Sequence, residues 1–392
     1  MRLESVAWER AAEVREAGEG WRRAGAIDEA TERAIREAYL DPCITPSLVW
    51  RVLTACVVGA VVFCTVGAFE KALRPSATGL QILLFLFAAA ALVATDLLEA
   101  SPRFARRGAA GATSFLGVGF LLVGFGLFFF EAVRMRFDDA LDAVLIAGVI
   151  GWGATCWRWG SPIFAALSAV SLFLFLGRVA HGRVLWVLIG AALAGLAARL
   201  LDESAWAPSH RRSAAVLVVV GAAAVYGAAN IYSLDRHLVE NLGRYVSERI
   251  DPPRGIRLLS AVATVVAPLA VLVWGLRSRR AFLIDTGIVL VALSLVTLRH
   301  YVHVAPLWVV LTFSGAALVV LALAIDRALR HAPGGEIAGF TADPLFSDER
   351  RQHALQIVPA AAAFAAAPAQ ASDDKGLGGG GRFGGGGAGE KF

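Results

Sequence analysis

The sequence has little charge for its length, since Asp, Glu, Lys and Arg make up only 18% of its 392 residues. Soluble domains average about 25%. Hydrophobic residues reach 57%, and they fall in long runs with few charges. The helices and strands around the core of a soluble protein would instead have one apolar and one polar face. These proportions exclude a soluble globular enzyme and a disordered chain. They indicate an integral membrane protein built from several helices.

Lysine and cysteine are scarce as well. The lysines are Lys71, Lys375 and Lys391, so arginine supplies nearly all of the basic charge. The arginines stand singly or in twos and threes beside apolar runs, which is typical of membrane-protein loops, and we therefore predict no nucleic-acid binding. The four cysteines show no CxxC or Cys/His spacing, so neither a zinc site nor a disulfide framework is predicted.

Ten runs are apolar enough to be membrane-spanning helices, each of which needs about 20 residues. Their ranges are 48–69, 78–98, 109–130, 140–157, 161–177, 184–201, 213–232, 256–276, 281–298 and 305–325. Only Arg158 and neighbouring Gly and Pro residues separate the fourth run from the fifth, so these form either a tight hairpin or one broken, re-entrant element. We predict an all-α polytopic transmembrane helix bundle of about ten spans, with roughly nine to eleven as the range.

Residues 1–47 are charged throughout and lack the short apolar core and cleavage site of a signal peptide, so the run that follows should stay as a span. Apolar and small residues recur in this segment at helical spacing. Gly18 and Gly20 are predicted to end a first helix, and Asp28 to cap a second one that reaches about Leu40. The segment is therefore predicted to be a soluble helical hairpin that packs on itself or on the membrane surface, or else binds a protein partner.

Loop charge predicts the orientation, because cytoplasmic loops carry an excess of Lys and Arg. The count favours a cytoplasmic N-terminus and a cytoplasmic C-terminus, although the 233–255 loop would then lie outside and is itself rich in arginine. Its leucines repeat every three to four residues, which predicts an amphipathic helix. That helix either lies flat on the membrane or forms a lid over a cavity.

A segment just before the first run resembles a known family. It reads Trp21-Arg22-Arg23-Ala24-Gly25-Ala26-Ile27-Asp28 and is followed by Ala30, Ala34, Ile35 and Tyr39. This is similar to the start of a bacterial membrane-protein family catalogued as the domain of unknown function numbered 2157, in which leucine is usual at the position of Ala26. The resemblance implies a multi-spanning bacterial membrane protein with a short cytoplasmic N-terminal domain, and it implies no catalytic residues.

Residues 326–392 have a different composition from the rest of the chain. The stretch 359–371 is rich in Ala and Pro, and 376–389 is mostly glycine. Such a segment cannot bury enough apolar surface to offset its backbone entropy, so we predict a disordered tail. The glycines lack a following Lys-Ser/Thr, which excludes a phosphate-binding loop.

The densest polar group near a span end consists of Arg299, His300, Tyr301 and His303. The spacing of the two histidines places both imidazoles on one side of a helix end, as a metal site or a proton relay requires. The same residues also fit interfacial histidines beside a tyrosine of the aromatic belt.

No run carries a charge at its middle, which weighs against ion-coupled transport. Asp285 and Asn230 lie near the ends of their runs, and with Arg299, His300 and His303 they make up the candidate functional residues. We assign no catalytic residue, no cofactor and no metal ligand.

Two functions are consistent with these features. The first is a non-enzymatic scaffold or partner-binding protein of the bacterial inner membrane, in contact with the lipid bilayer and reaching a protein partner through its N-terminal hairpin. The alternative is a transporter or a lipid- or envelope-processing membrane enzyme with a cavity near residues 233–255 or 299–303. The oligomeric state is left open.

Overall fold

The computed structural model describes most of the chain up to the end of the ninth predicted span. Its described residues are 3–23, 25–40, 43, 47–101, 108–179, 182–203, 206–230, 254–278, 280–301 and scattered positions between 309 and 341. The 233–253 stretch and the 342–392 part of the tail lie outside them, and so do the predictions of an amphipathic loop helix and a disordered glycine-rich tail.

The regular secondary structure of the described residues is helical, apart from one pair of two-residue strands. The helices are α1 (Leu3–Arg23), α2 (Glu29–Ala38), α3 (Leu48–Leu73), α4 (Ala77–Glu99), α5 (Ala109–Leu127, continued by a π-helical turn Phe128–Ala132), α6 (Phe137–Trp159), α7 (Pro162–Arg178), α8 (Gly182–Asp202), α9 (Pro208–Ala229), α10 (Arg254–Ser278) and α11 (Ala281–Tyr301). Strands β1 (Glu336–Ile337) and β2 (Phe340–Thr341) pair antiparallel, which the sequence did not predict.

Eight of these helices, α3–α6 and α8–α11, are long and apolar enough to cross a membrane, and α7 is a shorter apolar helix of 17 residues. The predicted all-α transmembrane fold is therefore confirmed, and the chain is a multi-pass membrane protein. The tenth predicted span, 305–325, lies mostly outside the described residues, and those of its residues that are described are helical.

The chain forms two compact units. The first contains the described residues within 1–16 and 33–228, and the second contains 17–32, 229–230 and the described residues from 254 onward. In the first unit α4 packs along α5 and α6 packs along α7, while α5 also contacts α3 and α6. In the second unit α10 packs along α11.

The core of the first unit is apolar and lies between neighbouring helices. One cluster joins α4 to α5 through Ala88 and Phe120. Another joins α5, α6 and α7, where the Trp152 ring stacks on Phe164 with ring centroids 5.5 Å apart. Lipid tails are as apolar as these side chains, so close packing rather than exclusion from water must hold the helices together.

Helices α8 and α9 cross at a pair of glycines. A Cβ atom at Gly190 would lie 2.9 Å from the Gly221 carbonyl oxygen, and one at Gly221 would lie 2.7 Å from the Gly190 carbonyl oxygen. Only glycine permits this approach, and Ala194 packs one turn away on the same side. Gly195, by contrast, has no atom within 4 Å of the position that a Cβ would take, so it makes no such close approach.

The N-terminal segment differs from its prediction at one point. Helix α1 does not end at Gly18 or Gly20 but continues to Arg23. Gly18 is buried on the same face as Ala11, seven residues earlier, so it belongs to the packed stripe of the helix and costs only the modest helix penalty of a glycine. Helix α2 begins after Asp28, whose Oδ1 accepts a hydrogen bond of 2.8 Å from the Thr31 N–H, as predicted for an N-cap.

The fourth and fifth predicted spans form a tight hairpin rather than one broken element. Helix α6 ends at Trp159, Gly160 adopts a left-handed conformation with φ of 70°, and α7 begins at Pro162. A glycine and then a proline at the first helical position are the residues that favour such a stop and restart.

Candidate functional site

Three aromatic rings meet at one end of the helices of the first unit. Trp157 lies in the last turn of α6, Trp206 precedes α9, and His210 lies in the first turn of α9. Ring centroids are 5.8 Å apart for the two tryptophans, 6.1 Å for Trp157 and His210, and 5.9 Å for Trp206 and His210. We call these three residues the Trp–His cluster.

Hydrogen bonds tie this cluster to the α6–α7 turn. His210 Nε2 lies 3.2 Å from the Trp157 carbonyl oxygen, which can only accept, so Nε2 donates. The Ser213 hydroxyl lies 3.0 Å from both the Gly160 and the Ser209 carbonyl oxygens and donates to them. The first two turns of α9 therefore hold the end of α6 and the turn that follows it.

A cavity of about 210 Å³ lies beside the cluster, between α6, α7, α8 and α9. Its walls include Gly153, Cys156, Leu200, Ala214 and Leu217 as well as the cluster itself. The lining hydroxyls are hydrogen-bonded within the protein: Ser168 donates to the Val149 carbonyl oxygen at 2.9 Å, and Ser213 donates as described above. The surface that faces the cavity is mainly apolar.

The N-terminal helix reaches the same region. Glu9 Oε2 accepts a hydrogen bond of 3.2 Å from the Ser209 N–H, and the Glu13 carboxylate lies 2.7 Å from an Arg211 guanidinium nitrogen. Helix α9 has no acidic residue in its own first turn. Glu9 therefore supplies, from 200 residues away, the negative charge that a helix N-terminus favours.

Ion pairs fix both ends of the α6–α7 hairpin. At the end near the cluster, the Asp96 carboxylate accepts from Arg158 at 2.9 Å and from the Trp159 indole N–H at 3.0 Å. At the far end, Arg178 pairs with Asp142 and lies 3.2 Å from Asp138. Asp96 at the end of α4 is thus paired with an arginine of α6, and Asp142 near the start of α6 with an arginine of α7.

The sequence-predicted candidates belong to the second unit. Asn230 is buried and donates from Nδ2 to the Thr297 hydroxyl at 3.3 Å, two residues before Arg299. Asp285 is exposed on α11, about 18 Å along the helix from Thr297. Arg299 and His300 lie in the last turn of α11, but their side chains and the whole of His303 fall outside the described residues. The structure thus brings Asn230 to the end of α11 and keeps Asp285 apart from it.

Sequence reasoning missed the Trp–His cluster. The four-residue spacing of Trp206 and His210, followed directly by Arg211 and Arg212, is a signal that could have pointed to it. That the last turn of α6 lies against these residues depends on helix packing, which the local sequence does not contain.

The groups of this site are stacked on or hydrogen-bonded to one another. Within the described residues, no three His, Cys, Asp or Glu side chains are grouped to hold a metal ion. Comparison of the chain with protein-family models, with curated proteins and with solved structures gives no significant match.

Proposed function

We propose that this chain is a non-enzymatic scaffold of the bacterial inner membrane that binds a protein partner through its N-terminal helices, with both termini in the cytoplasm. We also propose that the chain belongs to the family numbered 2157, because the segment that begins at Trp21 resembles the start of that family. One observation carries it: α1 is anchored on α9 through Glu9 and Glu13, while α2 is largely exposed.

Helix α2 has the character of a docking surface. It carries both acidic and basic side chains, and Tyr39 and Leu40, just after its end, are exposed to 46% and 76%. A partner bound there would be tethered to the membrane-spanning helices, because α1 is hydrogen-bonded to α9. Mixed charge around a few exposed apolar side chains is common at protein–protein contacts.

The buried hydroxyls inside the spans support a structural role for the bundle. Thr95 of α4 and Thr113 of α5 share a hydrogen bond of 2.9 Å. Ser294 of α11 donates to the Thr264 carbonyl oxygen of α10 at 2.7 Å. Such bonds join helices in lipid and leave these groups engaged rather than lining a path.

Site-specific photo-crosslinking in the producing cell tests the proposal. A benzophenone amino acid is placed at Ala34 or Ala38, both exposed on α2, and in a matched control at Ala60, which is exposed on the membrane-spanning α3. We expect discrete protein adducts from the α2 positions that are absent from the control. If both α2 positions yield no discrete adduct, or only the bands that Ala60 yields, the partner-binding role is wrong.

A further inference from the structure

The lining residues of the cavity beside the Trp–His cluster define its depth in the membrane. Its walls run from Trp157 back to Gly153 on α6 and from His210 to Leu217 on α9. Seven helical residues correspond to about 10 Å. The cavity therefore begins at the ends of the spans, where tryptophans mark the level of the lipid headgroups, and extends into the hydrocarbon region.

The chemistry of the walls selects an apolar occupant. A buried water needs two to four polar partners, whereas the surface that faces this cavity is mainly apolar and the Ser168 and Ser213 hydroxyls donate to backbone carbonyl oxygens. Apolar cavities of roughly 150 Å³ stay dry and bind apolar molecules. This cavity, at about 210 Å³, is larger than that.

The walls of the cavity include or adjoin residues on the outer surface of the helices, which faces lipid in a membrane protein. Trp157, one of its walls, is 68% exposed, and Leu196, one turn before the lining residue Leu200, is 62% exposed. The molecules that cover this surface in a membrane are phospholipids, whose polar ends lie at the level of the tryptophans. A chain that bends away from the bulk lipid at this point enters the cavity directly.

We propose that the cavity is a binding site for one acyl chain of a membrane phospholipid. The chain passes between α6, α7 and α9 towards Leu217, and its headgroup remains outside beside Trp206 and His210. The site is independent of the proposed partner-binding surface on α2.

Photoactivatable lipid labelling tests this site. The full-length chain is reconstituted in phosphatidylcholine vesicles in which a fraction of the lipid carries a diazirine on one acyl chain, and the adducts are mapped by mass spectrometry. We expect adducts on cavity-lining residues, Cys156 and Ala214 among them, in excess of those on the lipid-exposed face of α3. A parallel arm uses a free fatty acid with the same diazirine, and labelling by the fatty acid alone would refute a phospholipid site.

A matched pair of substitutions gives the control. Cys156→Phe fills part of the cavity, whereas Cys56→Phe adds the same side chain at a lipid-exposed position of α3. Loss of room for two methylene groups should lower cavity labelling about tenfold in Cys156→Phe and leave it unchanged in Cys56→Phe. Equal labelling of the cavity in both variants would overturn the proposal. If gel filtration shows that Cys156→Phe does not fold, the positions of the lipid adducts on the unsubstituted chain test the proposal. Adducts confined to exposed helix faces would refute the site.

Discussion

At the scale of single residues, two acidic side chains of α1 connect the N-terminus to the membrane bundle. Glu9 caps α9 at Ser209 and Glu13 pairs with Arg211. The Glu13 side chain is 46% exposed and that of Arg211 is 23% exposed, so water screens their attraction. An ion pair of this kind is worth roughly 0.2–1 kcal/mol, which is enough to bias docking but too little to make it permanent.

Glu13→Arg should loosen α1, since it replaces attraction to Arg211 by repulsion. We expect the undocked fraction to rise by roughly fivefold, which corresponds to about 1 kcal/mol, with faster amide exchange over residues 5–16. The exchanged pair Glu13→Arg/Arg211→Glu should restore protection. Glu19→Arg serves as the control, because Glu19 pairs with Arg23 within α1. Failure of the exchanged pair to recover protection would contradict the docking contact.

Gly160 is the second residue on which the local arrangement depends. Its φ of 70° belongs to the left-handed region, and a Cβ there would overlap the Ser209 hydroxyl. Gly160→Ala should lower the free energy of unfolding by at least about 1 kcal/mol from backbone strain alone.

Thermal unfolding in detergent measures this loss. Adding Ser209→Gly to the Gly160→Ala chain should recover only the part of the lost stability that is due to the overlap with the Ser209 side chain. Gly195→Ala, at a helical position where a Cβ meets no atom within 4 Å, should show no loss of stability. A stability of Gly160→Ala equal to that of Gly195→Ala would show that the turn tolerates a side chain.

At the scale of elements, the N-cap of α2 responds to pH. Hydrogen bonds from the Thr31 hydroxyl and the Thr31 N–H lower the pKa of Asp28 from its ordinary value of 3.8. A lowered pKa means that ionised Asp28 stabilises the helix above that ordinary value, and that this stabilisation is lost as the pH falls through the lowered one.

A carbon NMR titration of Asp28 checks this. We expect a midpoint below 3.8 in the unsubstituted chain. In Thr31→Val, which removes the hydroxyl and keeps the N–H, the midpoint should rise part of the way towards 3.8. An unchanged midpoint in Thr31→Val would mean that the hydroxyl makes no contribution.

The sequence predicts the elements well and their pairing poorly. Apolar runs locate the helices to within a few residues; α6, for example, starts at Phe137 rather than 140 because Asp138 and Asp139 are accommodated in its first turn. The sequence does not predict which charged groups pair with one another. Asp96 pairs with Arg158, 62 residues further along the chain, and this follows only once α4 and α6 are neighbours. The Trp–His cluster could not be predicted for the same reason.

At the scale of the whole molecule, the contact of α1 with α9 constrains the path of the chain. Glu9 and Ser209 must lie on the same side of the membrane because they are hydrogen-bonded. Between them lie the short polar helix α2 and six apolar helices, α3 to α8. An even number of crossings is required, so the short helix α7 has to cross along with its five longer neighbours. At about 25 Å it is slightly shorter than the hydrocarbon core, a mismatch that bilayer thinning accommodates.

Labelling with a membrane-impermeant maleimide tests this path. Single cysteines replace Ser47, Glu203 or Arg134 in a chain whose four native cysteines are changed to alanine. We expect positions 47 and 203 to react from one side and position 134, three helices after 47, from the other. Reaction of 47 and 203 from opposite sides would mean that α7 does not cross.

The Glu9 cap also sets an order of events during synthesis. The residues joined by this hydrogen bond are 200 positions apart, so α1 leaves the ribosome long before the start of α9 exists. At about 5–20 residues per second, the delay is roughly 10–40 s. Throughout that interval Glu9 and Glu13 lack the α9 groups that they contact in the folded chain. Docking of α1 on α9 is therefore a late step in the assembly of this unit.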